Sequence, residues 1–320
     1  MDRRSTMRTV LAAAFGAALL MLPTAGASAA ERDFGPLISA ADLAAAQPAV
    51  DPLILDIRGA EVADGRIPGA VSAPYGQFRG PQENPGQLLS EAEFTALFQR
   101  LGVTPERPTV IVHQGRDATD FGAAARVYWT LKTAGVEELA ILNGGMNAWT
   151  AGDARPVSQT AATPRPSDVA VRLNDAWLAE RDEVLAIVQG GQSGRLIDAR
   201  PESFYNGDQA HPAAAKPGTL PQSEYFTHSG WFDDGPAIID ADAARQLAQA
   251  NGFRDGDKLI SFCNTGHWAA TNWFALSELA GIEGVKLYPE SMVGWSHAGL
   301  PMANTPSLVE NLFNQIREAL

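Results

Sequence analysis

The chain holds a single cysteine, Cys263, at the head of Cys263-Asn264-Thr265-Gly266-His267-Trp268. Ahead of it runs Lys258-Leu259-Ile260-Ser261-Phe262, short, apolar and of strand type. Behind it, from Ala269 to Leu279, apolar residues recur at steps of three and four, the period of a helix. A strand ending in cysteine, a tight loop and a helix start aim the loop N–H groups and the first free helix N–H groups at one point. A sulfur there meets donors and the positive end of the helix dipole, which favour its anion. A free thiol titrates near ~8.5, and one at a helix N-terminus at roughly 3.5–7.5; the thiolate is the nucleophile. The same pattern also reads as an inert core cysteine, because cysteine is among the most buried residue types.

The 320 residues are enough for two ordinary domains, and 45% hydrophobic with 19% charged residues suits well-cored globular units. The chain carries 24 basic and 37 acidic residues; setting aside Arg3, Arg4, Arg8 and Asp2 of residues 1–30 leaves 21 and 36, a charge of −15. Such a surface argues against nucleic acid and against anionic lipid as partners.

The basic residues Arg3, Arg4 and Arg8 precede the apolar run Val10–Leu22, and Ala27-Ser28-Ala29-Ala30 follows. A basic head, an apolar middle and small residues at the end form a secretory signal peptide, with cleavage expected near Ala29 or Ala30. The run is short for a span of about 20 residues, and Pro23 and Gly26 break it. The mature protein is therefore expected to be soluble and periplasmic, with no membrane contact after cleavage. A lone cysteine cannot form an internal disulfide, so in an oxidising compartment its thiol is free or intermolecular, which strengthens the reactive reading.

The body of the chain repeats itself. Leu53-Ile54-Leu55-Asp56-Ile57-Arg58 is echoed by Arg195-Leu196-Ile197-Asp198-Ala199-Arg200, and Gly65-Arg66-Ile67-Pro68 by Gly218-Thr219-Leu220-Pro221. Thr109 to Gln114 matches Lys258 to Cys263, which sets Gln114 in the place of Cys263. Ala134-Gly135-Val136 matches Ala280-Gly281-Ile282, and Leu142 to Trp149 matches Tyr288 to Trp295. The expected organisation is a domain over 31–152, a Pro-rich, semi-stiff linker over 153–167 and a second domain over 168–320. Each copy opens on a capped helix (Ser39 before Ala40–Ala46; Asn174 before Asp175–Gln189). Strands ending in Asp-x-Arg, at position 114 or 263, and at Glu138–Leu142 or Val285–Tyr288 alternate with helices Glu91–Leu101 and Ala241–Asn251. That alternation implies an α/β fold in which each parallel sheet is covered by helices on both faces, with ligands at the carboxyl ends of the strands.

These blocks, in this order, resemble the rhodanese (sulfurtransferase) family in its tandem form, over roughly Phe34 to Met302. The marks are the Asp-x-Arg strand, the Gly-x-Ile/Leu-Pro turn, the Cys-x-x-Gly loop and the Gly-Gly-x-x-Ala-Trp turn. The resemblance implies a silent first domain that acts as a docking wall and a second domain whose Cys263 takes a sulfur atom from a thiosulfate or mercapto-acid donor. A Cys263 persulfide would be held by the loop N–H groups of residues 264–268 and passed to a thiol or cyanide acceptor. No metal and no organic cofactor is needed. A redox protein is a further candidate partner.

The loop departs from the family pattern. Thiosulfate-using members carry cations where Asn264, Thr265 and His267 stand; mercaptopyruvate-using members have other residues at Asn264 and His267-Trp268; and a family arginine is replaced by Phe204. The candidate substitutes are His267, Arg200 and Lys216. Asp198 with Arg200 reads first as a structural ion pair closing the strand end. Trp268 is a candidate substrate neighbour, Trp273 and Trp295 are core candidates, and His211 and His297 read as surface residues. Phe204, Tyr205, His211 and Lys216, within 201–217, could form a lid over Cys263. Scattered histidines around one cysteine give no metal signature, and Asn304 to Leu320 reads as an amphipathic helix. Two alternatives stay open: a sulfur carrier or binding module that works with a partner protein, and a cysteine phosphatase. The latter needs an arginine that residues 264–270 lack.

Overall fold

The computed structural model describes residues 34–59, 62–152 and 155–307. The expected signal peptide and most of the expected C-terminal helix lie outside those residues. The first half forms β1 (Leu37–Ile38), α1 (Ala40–Val50), β2 (Leu53–Asp56), β3 (Val71–Ser72), α2 (Glu91–Leu101), β4 (Thr109–Val112), α3 (Ala118–Thr133), β5 (Leu139–Leu142) and α4 (Gly145–Thr150). The second forms α5 (Arg181–Val188), β6 (Arg195–Asp198), α6 (Glu202–Tyr205), β7 (Glu224–Tyr225), α7 (Ala241–Ala250), β8 (Leu259–Phe262), α8 (Trp268–Trp273), β9 (Lys286–Leu287) and α9 (Ser291–His297). Two sheets result, in the orders β1-β5-β4-β2-β3 and β7-β6-β8-β9, parallel throughout. Their inner strands are buried on both faces, which explains why they read as unbroken apolar runs.

Side-chain oxygens start the longer helices. Ser39, Asp117 and Asp240 accept the N–H of the residue three on, and Ser90 with Glu93 closes a reciprocal capping box. The expectation at Asn174 fails: the helix starts at Arg181. Residues 177–179 instead lie along β9, with Leu287 N–H donating to Trp177 O and Ala179 N–H to Leu287 O. They fill the sheet edge that β1 fills in the first half, so their backbone groups are unavailable to a helix. The helix expected over Ala269–Leu279 starts one residue earlier and widens into a π-helix over Phe274–Leu279.

Matching hydrogen bonds fix the correspondence between the halves. Val112 lies opposite Asp56 and Phe262 opposite Asp198. Met146 N–H donates to His113 O as Met292 N–H does to Cys263 O, and Asn147 to Gln114 as Val293 to Asn264. His113, not Gln114, therefore stands where Cys263 stands. The sequence match was one residue out of register because both strands are mostly apolar there, and only pairing to a neighbour sets register.

One hydrophobic core runs through both halves, with two smaller clusters behind the sheets. Its centre is the contact of α3 with α8 and the π-helix that continues it, where Phe121 and Tyr128 meet Phe274 edge-on at 5.6 and 5.0 Å. The Pro-rich connection is strapped to the first half: Ser158 and Arg66 exchange backbone hydrogen bonds, Ala162 N–H donates to Ala70 O, and Ser167 N–H to Gln99 O. Helix α3 meets the loop that follows β8 through Arg126, which donates to Thr265 O and Gly266 O.

Candidate active site

Cys263 follows β8, at the carboxyl end of the second sheet, and is only 1% exposed. Its N–H donates to Ser291 Oγ (3.0 Å), and Ser291 Oγ–H in turn donates to Tyr288 O (2.8 Å). Its peptide is thus pinned by the turn between β9 and α9. The following N–H groups, of Asn264, Thr265, Gly266 and His267, have no acceptor among the described residues. Unpaired donors are costly when buried, so a loop that gathers them is shaped for an anion.

Asp198 and Arg200 build the wall beside this loop. Arg200 Nη2 lies 2.6 Å from Asp198 Oδ2, with the two side chains 2% and 0% exposed. The same guanidinium donates to Gly218 O (3.0 Å) and to Asn264 Oδ1 (3.1 Å). Arg58 repeats the arrangement with Asp56, Gly65 O and Gln114 Oε1. The pair is an architectural tie present in both halves, and it orients the first loop residue. Asn264 Nδ2 is left buried without a partner.

The first half supplies what sequence reasoning missed. Arg126, on α3 and fully buried, donates from Nη1 to Thr265 O and Gly266 O (both 3.1 Å) and from Nη2 to Gly86 O (3.2 Å). Arg79 Nη2 donates to the same Thr265 O (2.8 Å). Burial and the adjacent Arg79 charge push the Arg126 guanidinium down to about 9, while the anionic forms of Tyr75 and Cys263 act the other way. Gly266 makes this approach possible: at φ +68° a Cβ would lie 2.3 Å from Arg126 Nη1 and 2.6 Å from Pro289 O. No signal marked Arg126, because its acceptors are backbone carbonyls and carry no residue identity.

His267 is spent on the same interface. Its Nε2–H donates to Thr119 O (2.8 Å), which leaves Nδ1 to accept from Tyr75 Oη–H (2.9 Å). Burial, then the Arg79 charge, push it down to about 3, so it is neutral near pH 7 and cannot replace a missing cation. Trp268 donates from Nε1 to Thr119 Oγ1 (3.1 Å), stacks on His228 with centroids 4.9 Å apart, and meets Phe204 edge-on at 5.9 Å. Lys216 is exposed and has no side-chain hydrogen bond or ion pair among the described residues. Of the expected lid, Phe204 reaches Trp268 and His211 feels the charge of Arg79, whereas Tyr205 turns to Ser223 O and Tyr225. Trp273 and Trp295 are core, as expected, and so is Trp149; His297 is exposed with Nε2 on Ala213 O.

The first half shows what its own loop holds. The Asp120 carboxylate accepts from Gly115 N–H (2.6 Å) and Arg116 N–H (3.2 Å), and from the buried ring of His113 at Nδ1 (3.0 Å). Burial alone would raise its carboxyl, but His113 and the two N–H groups hold it far below the usual carboxylate range. Counted from the strand end, Gly115 and Arg116 correspond to Thr265 and Gly266, and Asp120 to Ala270. One copy fills its donors with its own carboxylate; the other presents them beside a thiol.

The pattern of the family described as "Rhodanese-like domain" matches residues 39–152 and again residues 180–298. The chain is similar to the thiosulfate sulfurtransferase of Azotobacter vinelandii, with 31% identity over 83% of this chain and 96% of that one. It is also similar to the sulfur carrier protein TtuD of Thermus thermophilus, with 26% identity over 75% and 85%. Among solved structures, wild-type EanB superposes with a TM-score of 0.72 at 19% identity, covering 83% of this chain and 68% of that one, a likeness of fold.

Proposed function

This chain belongs to the rhodanese-like family through both of its halves and is a sulfurtransferase, and we propose that it works by a persulfide on Cys263 in an exported, periplasmic protein. The proposed mature form lacks residues 1–30 and carries a silent domain (31–152), a linker (153–167) and a catalytic domain (168–320). The Cys263 thiolate attacks the outer sulfur of a small donor. With thiosulfate, the S–S bond breaks, sulfite leaves with the electron pair, and Cys263 carries the transferred sulfur as an anionic persulfide. A thiolate or cyanide acceptor then attacks that sulfur, and the electron pair returns to Cys263. Charge balances in each half-reaction, and neither needs an outside oxidant or reductant.

The observation that carries this reading is the pair of loops. The first holds a carboxylate oxygen on its N–H groups; the second offers the same groups, without a carboxylate, next to the only sulfhydryl of the chain. Donors fixed before reaction stabilise a developing anion without reorganising. The test is intact-mass spectrometry after exposure to thiosulfate, mercaptopyruvate, polysulfide or glutathione persulfide. One added sulfur atom on the native protein and none on Cys263→Ala is expected; no added sulfur with any donor would end the proposal.

The burial of Cys263 favours a second reading, in which the persulfide waits for a partner protein. The likeness to a sulfur carrier protein points the same way. Discharge to a partner but to no small thiol or cyanide would select this reading.

A further inference from the structure

A thiolate and a thiosulfate-like donor are both anions, and they must approach each other inside a buried site. Residues 264–270 contain no arginine or lysine. Arg200 is fully committed to Asp198, Gly218 and Asn264, Lys216 is exposed, and His267 has both ring nitrogens occupied. The missing positive charge comes from the other half. Arg79 and Arg126 converge on one carbonyl, Thr265 O, at 2.8 and 3.1 Å. Neither forms an ion pair among the described residues. The carboxylate of Glu290 is engaged by Arg181 (2.6 Å) and Asn84 (3.3 Å). Two converging cations with no counter-ion repel each other, and burial deepens the cost.

Three buried donors at this place lack acceptors: Arg79 Nη1, Arg126 Nε and Asn264 Nδ2. They add to the open N–H groups of the loop. Buried donors left unpaired mark a place completed by something else. An ionised Cys263 would favour the charged form of Arg126.

We infer that the first copy supplies the cationic half of the active site: Arg126 is a positioning residue under the cysteine loop, and Arg79 is the contact for the anionic head of a small sulfur-oxyanion donor. The inference rests on the sulfurtransferase reading and explains how a loop without cations can serve it. Arg126 holds the Thr265 and Gly266 carbonyls turned towards itself, which leaves the N–H groups of the loop facing away from it. Arg79 spends one nitrogen on the same carbonyl and keeps Nη1 for the ligand.

The test compares alkylation of Cys263 by neutral iodoacetamide and by anionic iodoacetate in the full chain, with the KM for thiosulfate measured in parallel. The variants are Arg79→Gln, Arg126→Gln, Arg126→Lys and the exposed control Arg172→Gln. Removing a unit charge that contacts an anion, at an effective dielectric of about 20, changes a rate or affinity by roughly tenfold or more. Arg79→Gln is expected to slow iodoacetate and raise KM roughly tenfold while leaving iodoacetamide within about twofold. Arg126→Gln is expected to slow both reagents to a similar degree, with Arg126→Lys recovering most of the loss. Equal effects of Arg79→Gln on the two reagents, or unchanged rates in folded Arg126→Gln, would overturn the inference. If Arg126→Gln does not fold, the reagent ratio and KM in Arg79→Gln decide it alone. Should the ratio shift as stated while no donor leaves sulfur on Cys263, the cationic half stands and the transfer chemistry falls. Should thiosulfate load Cys263 while neither ratio nor KM moves, only this inference falls.

Discussion

Gly266→Ala isolates the contact that joins the two halves at the cysteine loop. Two costs add. At φ +68° a residue with a Cβ loses roughly 1–2 kcal/mol to left-handed strain. The new methyl would also lie 2.3 Å from Arg126 Nη1 and 2.6 Å from Pro289 O, and both are buried neighbours that cannot swing aside. Overpacking of this kind costs about 1–3 kcal/mol, and losing one hydrogen bond to a buried guanidinium adds about 1.5–3 kcal/mol. The expected total is about 3.5–8 kcal/mol, read as the fall in unfolding free energy by urea titration of the full chain. Gly281→Ala is the internal control: its φ is +73°, but a Cβ there meets nothing within 4 Å. It is expected to lose only the strain, roughly 1–2 kcal/mol. In an Arg126→Met background the cost of Gly266→Ala should shrink, because touching residues are not additive. If Gly266→Ala and Gly281→Ala cost the same, the close packing of Arg126 on the loop is not what requires glycine.

Other outcomes follow from the same geometry. Cys263→Ser should abolish sulfur loading at a stability cost of about 1–3 kcal/mol, since it buries a hydroxyl where a thiol stood; loading that survives would place the chemistry elsewhere. Asp198→Ala leaves Arg200 buried without its carboxylate and should cost roughly 3–5 kcal/mol by chemical denaturation; a loss under 1 kcal/mol would show that Gly218 and Asn264 suffice to hold it. His228 and His267 are held down to about 4 and about 3, each chiefly by burial. A base with a depressed value binds fewer protons folded than unfolded. Their contribution is therefore complete above about pH 6.5 and falls as pH drops towards 4 to 3, by roughly 2 kcal/mol per ring at pH 5. Unfolding midpoints between pH 7 and 5 in wild type and His228→Gln test it, and a flat wild-type profile would refute it.

The duplicated architecture was legible because each copy writes its strands as apolar runs and closes one with Asp-x-Arg. Asp56 and Arg58 repeat the bonds of Asp198 and Arg200 almost atom for atom. Register was not legible. Val110-Ile111-Val112 and Leu259-Ile260-Ser261-Phe262 look alike under a shift of one residue, and only pairing with β2 and β6 sets His113 opposite Cys263. The helix foreseen at Asn174 failed for a related reason: local capping chemistry cannot know that a sheet edge needs residues 177–179.

What the sequence determined by itself was the part whose physics is local: a lone sulfhydryl ending a strand, a glycine in the turn after it, a helix start beyond. What only the tertiary structure decided was the charge around that sulfur. Arg126 stands 139 residues before the carbonyl of Thr265 and 140 before that of Gly266. Any residue can present a carbonyl, so nothing in the loop's spelling announces the arginine. Its role exists only because α3 is packed against α8, which is a property of two folded copies and not of either stretch alone.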